Sequence, residues 1–530
     1  MSVGGQVDAT AGTRRHPGTA VVRGGALSFV GGLVAAAGGF LLTLVVTRGL
    51  GAERSGVFFV SIGLFTILSN ILELGADTGL VRSVPRLRTL HRTADLPRTV
   101  IAAVVPVALA GSAAAILVAA FAPTLARVFM QQGSTVLGAG FLRSVAPFLI
   151  VAPLATVLIA GTRGFGRIVP YVAIQNVGLP LARPLIVGLL VAAGATGDRA
   201  IAVGWGIPWA VAAAAAGIVV VHLTNLALRT DDSMEAARPF RVVGSEFWSF
   251  ASARAFGGAA EILLVWLDVL LVGWLVGPVE AGIYAAASRF VTTGTLALSA
   301  SRIAITPRLA HLMTAGKTDE AEQLFNGGTQ AVVATSWPLY LGLACFSPAI
   351  LRLFGPDFTA GATALTILSI AMLVDTATGN VGSVLLMAGS SRWNLFNATT
   401  ALVVNVVADL ILIPDHGATG AAIGWSLAIV TLNVLACLEV HYLMRLRIFT
   451  ASVGRTAIAT LICFGVPGIV LGVLAAHKLA ALVTWLLVGS VAYSAWWWRR
   501  RGDPEVAVLL DALGVDRARV RLEGGRGAGS

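Results

Sequence analysis

Arg183 stands near the middle of an apolar run that extends from about residue 169 to 193, in the stretch GLPLARPLIV (178–187), between Pro180 and Pro184. A guanidinium there can bind an anion. Its planar fork meets phosphate or carboxylate oxygens through two parallel hydrogen bonds, and its charge survives burial. The two prolines remove backbone donors, so the carbonyls of Asn176 and Pro180 lose their helical partners beside it. Arg254 and Arg289 also lie within apolar runs and away from their ends. Arg254, Glu261 and Asp268 are spaced seven apart, and seven steps of about 100° return to one helix face within about 20°. Asp268 precedes the turn GPVEAG (277–282) and Arg289 follows it. A depth of roughly 10–14 Å for both predicts an ion pair on consecutive helices. Asp375 is a further carboxyl in the middle of an apolar run.

The elements around these charges must be membrane spans. The chain has 530 residues, of which 57% are hydrophobic and 12% charged, with a mean hydropathy of +0.85. That composition leaves too little polar surface for a soluble fold and gives a polytopic membrane protein. In hydrocarbon each such charge costs about 2.5–3.5 kcal/mol or more, so the stripe must face a lumen or an oppositely charged partner helix. Arg183, Arg254 and Arg289 are therefore candidates for an anion-binding cavity, and Glu261, Asp268 and Asp375 for ion pairing or for coupling to a driving ion. Glu73 and Asp77 read as partners of Arg82, and Asp409 as an interfacial residue. Cys345, Cys437 and Cys463 all fall in apolar runs, which leaves neither a disulfide framework nor a metal cluster. No phosphate-binding loop, metal-ligand spacing or large loop able to house an active site is present, so no enzyme activity, cofactor, metal or nucleic-acid partner is expected.

Segments of spanning length number about 14, among them 57–81, 141–162 and 361–389. They predict a cytoplasmic tail over 1–24, a six-helix bundle over 25–224, a linker over 225–246, a second six-helix bundle over 247–444, two added helices over 454–498 and a basic tail over 499–530. Within that tail, 505–515 reads as a short amphipathic helix. Arginines gather in alternate loops: Arg82, Arg86, Arg88, Arg92 and Arg98, then Arg229, Arg238 and Arg241, then Arg445, Arg447 and Arg455, and finally Arg499 to Arg501. The intervening turns GPVEAG and PDHG (414–417) have none, which predicts both termini in the cytoplasm.

A repeat relates the two bundles. LGAERSGVF (50–58) matches VGPVEAGIY (276–284), FAPTLARVF (121–129) matches FSPAILRLF (346–354), and IAGTR (159–163) matches MAGSSR (387–392). GATG recurs at 194–197 and 417–420, each time with Gly-Trp soon after. Collinear matches of this kind indicate duplication. Because six is even, the halves share one orientation and should be related by a pseudo-twofold along the membrane normal, an arrangement suited to alternating access.

These features, with DVLLVGWLVGPVEAGIYAAASRF (268–290) and ILELGADTGLVRSVPR (71–86), resemble the polysaccharide-exporter branch of the multidrug/oligosaccharidyl-lipid/polysaccharide exporter superfamily over roughly 20–445. The resemblance implies a flippase that moves an undecaprenyl-pyrophosphate-linked oligosaccharide, a precursor of cell-envelope polysaccharide, from the cytoplasmic to the outer leaflet of a bacterial cytoplasmic membrane. It implies membrane lipids as surroundings, and polysaccharide polymerases and glycosyltransferases as partners. The lipid II flippases of the superfamily also have 14 helices, but their cationic signature is not visible in the first span here; they are the second reading. Cation-coupled multidrug antiporters typically keep an acidic residue in that span, and FVGGLVAAAGGFLLTLVV (29–46) has none. They are the third.

Overall fold

The computed structural model describes residues 17–500 apart from 131, 232–234, 388–390, 445–446, 449 and 476–477. Among the described residues there is no strand. The first part of the chain forms α1 (Pro17–Leu72), α2 (Ala76–Thr89), α3 (Leu96–Phe129), α4 (Thr135–Val145), α5 (Phe148–Gly164), α6 (Ile168–Tyr171), α7 (Leu179–Ala192) and α8 (Asp198–Arg229), with a π-helix (Val172–Gly178) joining α6 to α7. The rest forms α9 (Phe240–Leu275), α10 (Pro278–Thr314), α11 (Thr318–Cys345), α12 (Ser347–Leu351), α13 (Ala362–Thr378), α14 (Val381–Met387), α15 (Ser391–Met444), α16 (Ala451–Thr460), α17 (Val466–Ala475) and α18 (Leu479–Arg499).

α1 and α15 are 56 and 54 residues long, more than twice the roughly 20 that one crossing needs. Each folds back on itself at a glycine. At Gly51 (φ 76°, ψ 177°) the reversal brings Ser55 Oγ within 3.1 Å of the Val46 carbonyl, nine residues earlier; a straight helix would hold them about 13 Å apart. At Gly417 (φ 52°, ψ −131°) the reversal in α15 leaves no room for a Cβ on Gly420 beside the Leu412 carbonyl. Eight described segments are long and apolar enough to cross a membrane, or nine when α4 and α5, bent by 48°, are joined. Two of the eight, Leu27–Thr89 and Arg392–Tyr442, contain these reversals. Length and hydropathy alone thus mark fewer segments than the about 14 read from the sequence.

The matched glycines take matching conformations. Gly51 and Gly277 have φ 76° and 119° with ψ 177° and 175°, and Gly194 and Gly417 both have positive φ, 73° and 52°. Only glycine enters these regions without strain. The two first turns also touch: a Cβ on Gly56 would overlap the Pro278 carbonyl, and one on Gly282 would lie 3.0 Å from the Ala52 oxygen. α1 and α10 therefore cross at glycines, as close helix contacts in membranes require. Each turn then reaches its own GATG loop. Arg54 donates to the Thr196 carbonyl at 3.4 Å and faces Asp198 at 3.9 Å, while Glu280 accepts the Ala418 N–H at 3.0 Å.

At the far end of the bundle, the start of α9 is strapped to α2 and α3. Arg238 binds Asp95 at 2.6 Å and Glu246 at 2.9 Å, Glu246 also takes Arg86 at 2.6 Å, and Arg98 donates to the Arg238 carbonyl. The Asp95 hydrogen bond, with Glu246 behind it, pushes the Arg238 guanidinium further above its ordinary range, so it stays charged at every accessible pH. Trp248 Nε1 donates to the Ala102 carbonyl, and Phe247 covers Gly79.

Several sequence boundaries move. The span read at 57–81 is interrupted after Leu72, because Leu74 and Gly75 both take positive φ (53° and 74°). The span at 361–389 breaks at Gly379 (φ 64°), and the span at 141–162 is the bent pair α4–α5. The amphipathic helix read at 505–515, with the N-terminal tail, lies outside the described residues. Gly56→Val should lower the detergent melting temperature sharply, since a side chain there displaces backbone, a cost of about 1–3 kcal/mol. Gly140→Ala, with open space at its Cβ, should leave it unchanged or slightly raised; equal melting of the two variants would contradict the crossing.

Candidate functional site

Charge in the first half converges on a cavity of about 510 Å³. Its wall takes Thr43, Thr66 and Asn70 from α1, Glu73 and Asp77 from the α1–α2 break, and Thr156 and Arg163 from α5. It continues through Tyr171 and Gln175 around the π-helix, Arg183 on α7, and Trp205 and Trp209 on α8. The second half contributes Ile262 and Trp266 from α9 and Arg289 from α10.

The path of the chain explains how Arg183 comes to this wall. Pro180 has no N–H to return to Asn176, and the turn before it relaxes to π geometry, with Leu179 N–H bonding Ile174 O. That extra residue per turn reorients the face that carries Gln175 and Arg183. The Pro180 carbonyl can take no helical hydrogen bond from Pro184, which has no N–H. It lies against Gly38 of α1, so close that a Cβ there would collide. Gly31 and Gly49 likewise bring α1 against Val172 and Val191. The small residues of the first span thus seat the proline-bearing helix.

The Arg183 guanidinium lies 4.8 Å from the centre of the Trp205 ring and 4.6 Å from that of Trp209. Its Nε and Nη2 are shielded from solvent and make no hydrogen bond. Arg289 lies 4.9 Å over Trp266. Such stacking is worth up to about 2 kcal/mol when desolvated and keeps the cation in place without neutralising it. The cavity wall thus holds Arg183 from α7 and Arg289 from α10, together with Arg163 and the carboxyls Glu73 and Asp77.

The remaining sequence candidates are elsewhere. Arg254 and Glu261 lie on α9, but their side chains fall outside the described residues. Asp375 accepts the Asn433 amide at 2.9 Å, and Asn433 in turn takes the Thr378 hydroxyl at 2.6 Å. Glu73 and Asp77 form no ion pair with Arg82, which lies over the Phe250 ring instead.

Asp268 corrects two expectations. It forms no ion pair with Arg289; its Oδ2 accepts the Tyr284 hydroxyl. Measured from the turn itself, Asp268 is about 10 Å below the end of α9, Tyr284 about 9 Å into α10 and Arg289 about 16 Å into it, so tyrosine and aspartate share a depth and arginine does not. Asp409, expected at the interface, is fully buried. It accepts Asn405 at 3.3 Å and comes within hydrogen-bonding reach of Asp268. Gly424 leaves it that room, since a Cβ there would collide with its Oδ1. The second half therefore holds two carboxyls side by side.

The sequence reading passed over Trp205, Trp209, Trp266 and Gln175. The two tryptophans four apart, on one helix face, were the available signal; Gly204-Trp205 was noticed only as a repeat mark. Because Tyr284 donates to Asp268, Tyr284→Phe and Asp268→Asn should be non-additive in thermal stability, with a coupling of about 0.5–3 kcal/mol, and Arg289→Gln and Asp268→Asn additive. The reverse pattern would restore the ion pair.

Residues 255–411 match the MatE protein family. The chain is 23% identical over 447 residues to the probable low-salt glycan biosynthesis flippase Agl15 of Haloferax volcanii, covering 83% of this chain and 87% of that protein. Its fold is similar to that of the lipid II flippase MurJ in an inward closed conformation, with a TM-score of 0.70, 13% identity and coverage of 90% and 99% of the two chains. It is also similar to an inward-facing multidrug resistance MATE family transporter of the MOP superfamily, with a TM-score of 0.65, 12% identity and coverage of 79% and 95%.

Proposed function

We propose that this chain, whose residues 255–411 match the MatE family, flips a saccharide linked to a lipid through pyrophosphate, by alternating access. The observation that carries this reading is the pair of arginines, Arg183 and Arg289, lining one cavity from the two halves. A pyrophosphate seated there would be held by both halves at once, and its charge would offset their mutual repulsion. The polar wall of Asn70, Gln175, Thr156 and Tyr171 suits a hydrated sugar. The likeness to a flippase described as acting in glycan biosynthesis supports a glycan cargo over a drug. The antiporter reading ranks third, since the first span, FVGGLVAAAGGFLLTLVV (29–46), carries no acidic residue. Lipid II remains the second reading, since it brings the same pyrophosphate to the same arginines.

Asp268 and Asp409 are the coupling residues of this reading. Two carboxyls within hydrogen-bonding reach in a buried site need a proton or a monovalent cation between them. Taking up and releasing that charge gives the second half a way to follow an ion gradient, and Asp375 with Asn433 lies in the same half. The two six-helix halves, both termini in the cytoplasm and supply of the cargo by glycosyltransferases belong to the same proposal.

Vesicles reconstituted with a fluorescent prenyl-pyrophosphate saccharide test it. Wild type should flip the lipid, Arg183→Lys should retain part of the rate through a single-point contact, and Arg183→Ala should lose most of it at normal expression. Efflux of cationic dyes without lipid flipping, or full activity of Arg183→Ala, would overturn the reading.

A further inference from the structure

Beside Arg183, two other cavity-lining side chains hold hydrogen-bonding atoms that the protein leaves unmet. Trp209 Nε1 and Gln175 Oε1, like Arg183 Nε and Nη2, are shielded from water and make no hydrogen bond. Buried polar atoms are almost always paired, so a concentration of unmet ones on one wall calls for an explanation. They are neighbours. Tyr171 and Ile174, flanking the turn that carries Gln175, pack with Trp209 in one cluster, and Arg183 lies over the Trp209 ring.

The types of these atoms narrow the ligand. The arginine supplies donors only, as a pyrophosphate requires. Gln175 Oε1 is an acceptor, and no phosphate oxygen or hydrocarbon can satisfy it. Beside the indole N–H, it asks for a group that donates and accepts at once. A sugar hydroxyl does both, as does an acetamido group on the ring. A cavity of about 510 Å³ at crystal-like packing, ~180 Å³ per hexose, has room for a diphosphate and about two sugars. Atoms adjoining the arginine therefore meet the sugar bonded to the diphosphate.

We propose that Gln175 and Trp209 form a sugar-reading subsite, which recognises a hydroxyl or acetamido group on the first sugar after the pyrophosphate. The inference rests on the saccharide-flippase reading and adds to it the residues that select the sugar. The π-helix is what places Gln175 there: one residue fewer in that turn would rotate the amide away from Trp209.

The test uses the full-length protein in nanodiscs and calorimetric binding of two kinds of probe. One is farnesyl diphosphate. The other is farnesyl diphosphate joined to glucose, galactose or N-acetylglucosamine, with the deoxy analogues of whichever binds best. Wild type should bind at least one sugar-bearing probe more tightly than farnesyl diphosphate, and removal of one ring substituent should weaken binding about tenfold. Gln175→Met, which keeps the length, should lose that tenfold preference while holding farnesyl diphosphate as wild type does, and Trp209→Phe should lose the same preference whatever its altered stacking on Arg183 does to both probes alike. In both variants the critical deoxy analogue should bind no worse than its parent. Variants that keep the sugar preference, or that lose both probes equally, would overturn the subsite. So would equal binding of farnesyl diphosphate with and without sugar by wild type, although the anion reading would survive that result. If wild type bound neither probe, the saccharide-flippase reading itself would fall, and the subsite with it.

Discussion

Two arginines kept inside a membrane bundle, with tryptophan faces against them, are the constraint from which the rest of the first half follows. Neither cation can be left facing hydrocarbon, and an aromatic ring holds a guanidinium without cancelling its charge. Arg183 needs α7 turned toward α8, where Trp205 and Trp209 wait. Pro180 and the π-helix supply that turn, and the glycines of α1 make it possible by letting the proline-bearing helix come to backbone contact. A single side chain at Gly38 would push α7 out and take Arg183 with it.

The two parts of the chain build different sites. The first, with α9 and α10 leaning in, lines open space with Arg163, Arg183 and Arg289 and with the carboxyls Glu73 and Asp77. The second encloses Asp268 and Asp409 in contact, with Tyr284 and Asn405 donating to them. Both sites share α9 and α10: Trp266 is two residues before Asp268, and Tyr284 is five before Arg289. A change of charge at the carboxyls thus acts on the same helices that bring Trp266 and Arg289 to the cavity. On the proposed function, that sharing is a physical route between cargo and driving ion, carried by two helices rather than by a chain of loops. The crossing at Gly56 and Pro278, and the strap of α9 to α2 and α3 by Arg238, Glu246 and Asp95, tie the two parts of the chain together at opposite ends.

Much of this was legible in the sequence. The glycine repeat identified turns whose backbones match, because φ near +50° to +120° leaves glycine little competition. The cost of intramembrane charge singled out Arg183 and Arg289 without any structural knowledge. What the sequence concealed was depth and rotation. Asp409 lies eight residues before Gly417 and Asp268 nine before Gly277, so counting each from its own turn puts them level, yet its place near the outer end of its span made Asp409 look interfacial. The ion pair failed because depth was counted from Gly282, after α10 had already run a turn. The π-helix could not be read at all, since periodicity assumes a constant number of residues per turn. With it went the place of Gln175 on the cavity wall, while Trp209, on α8, carried no charge to mark it.

The account stands on an anion held between Arg183 and Arg289. An experimental structure in nanodiscs with a bound prenyl-pyrophosphate saccharide measures this directly. Phosphate density within hydrogen-bonding distance of both guanidinium groups, with the sugar toward Gln175 and Trp209, is the result expected. Phosphate bound elsewhere, with Arg183 still packed dry between its tryptophans, would contradict it.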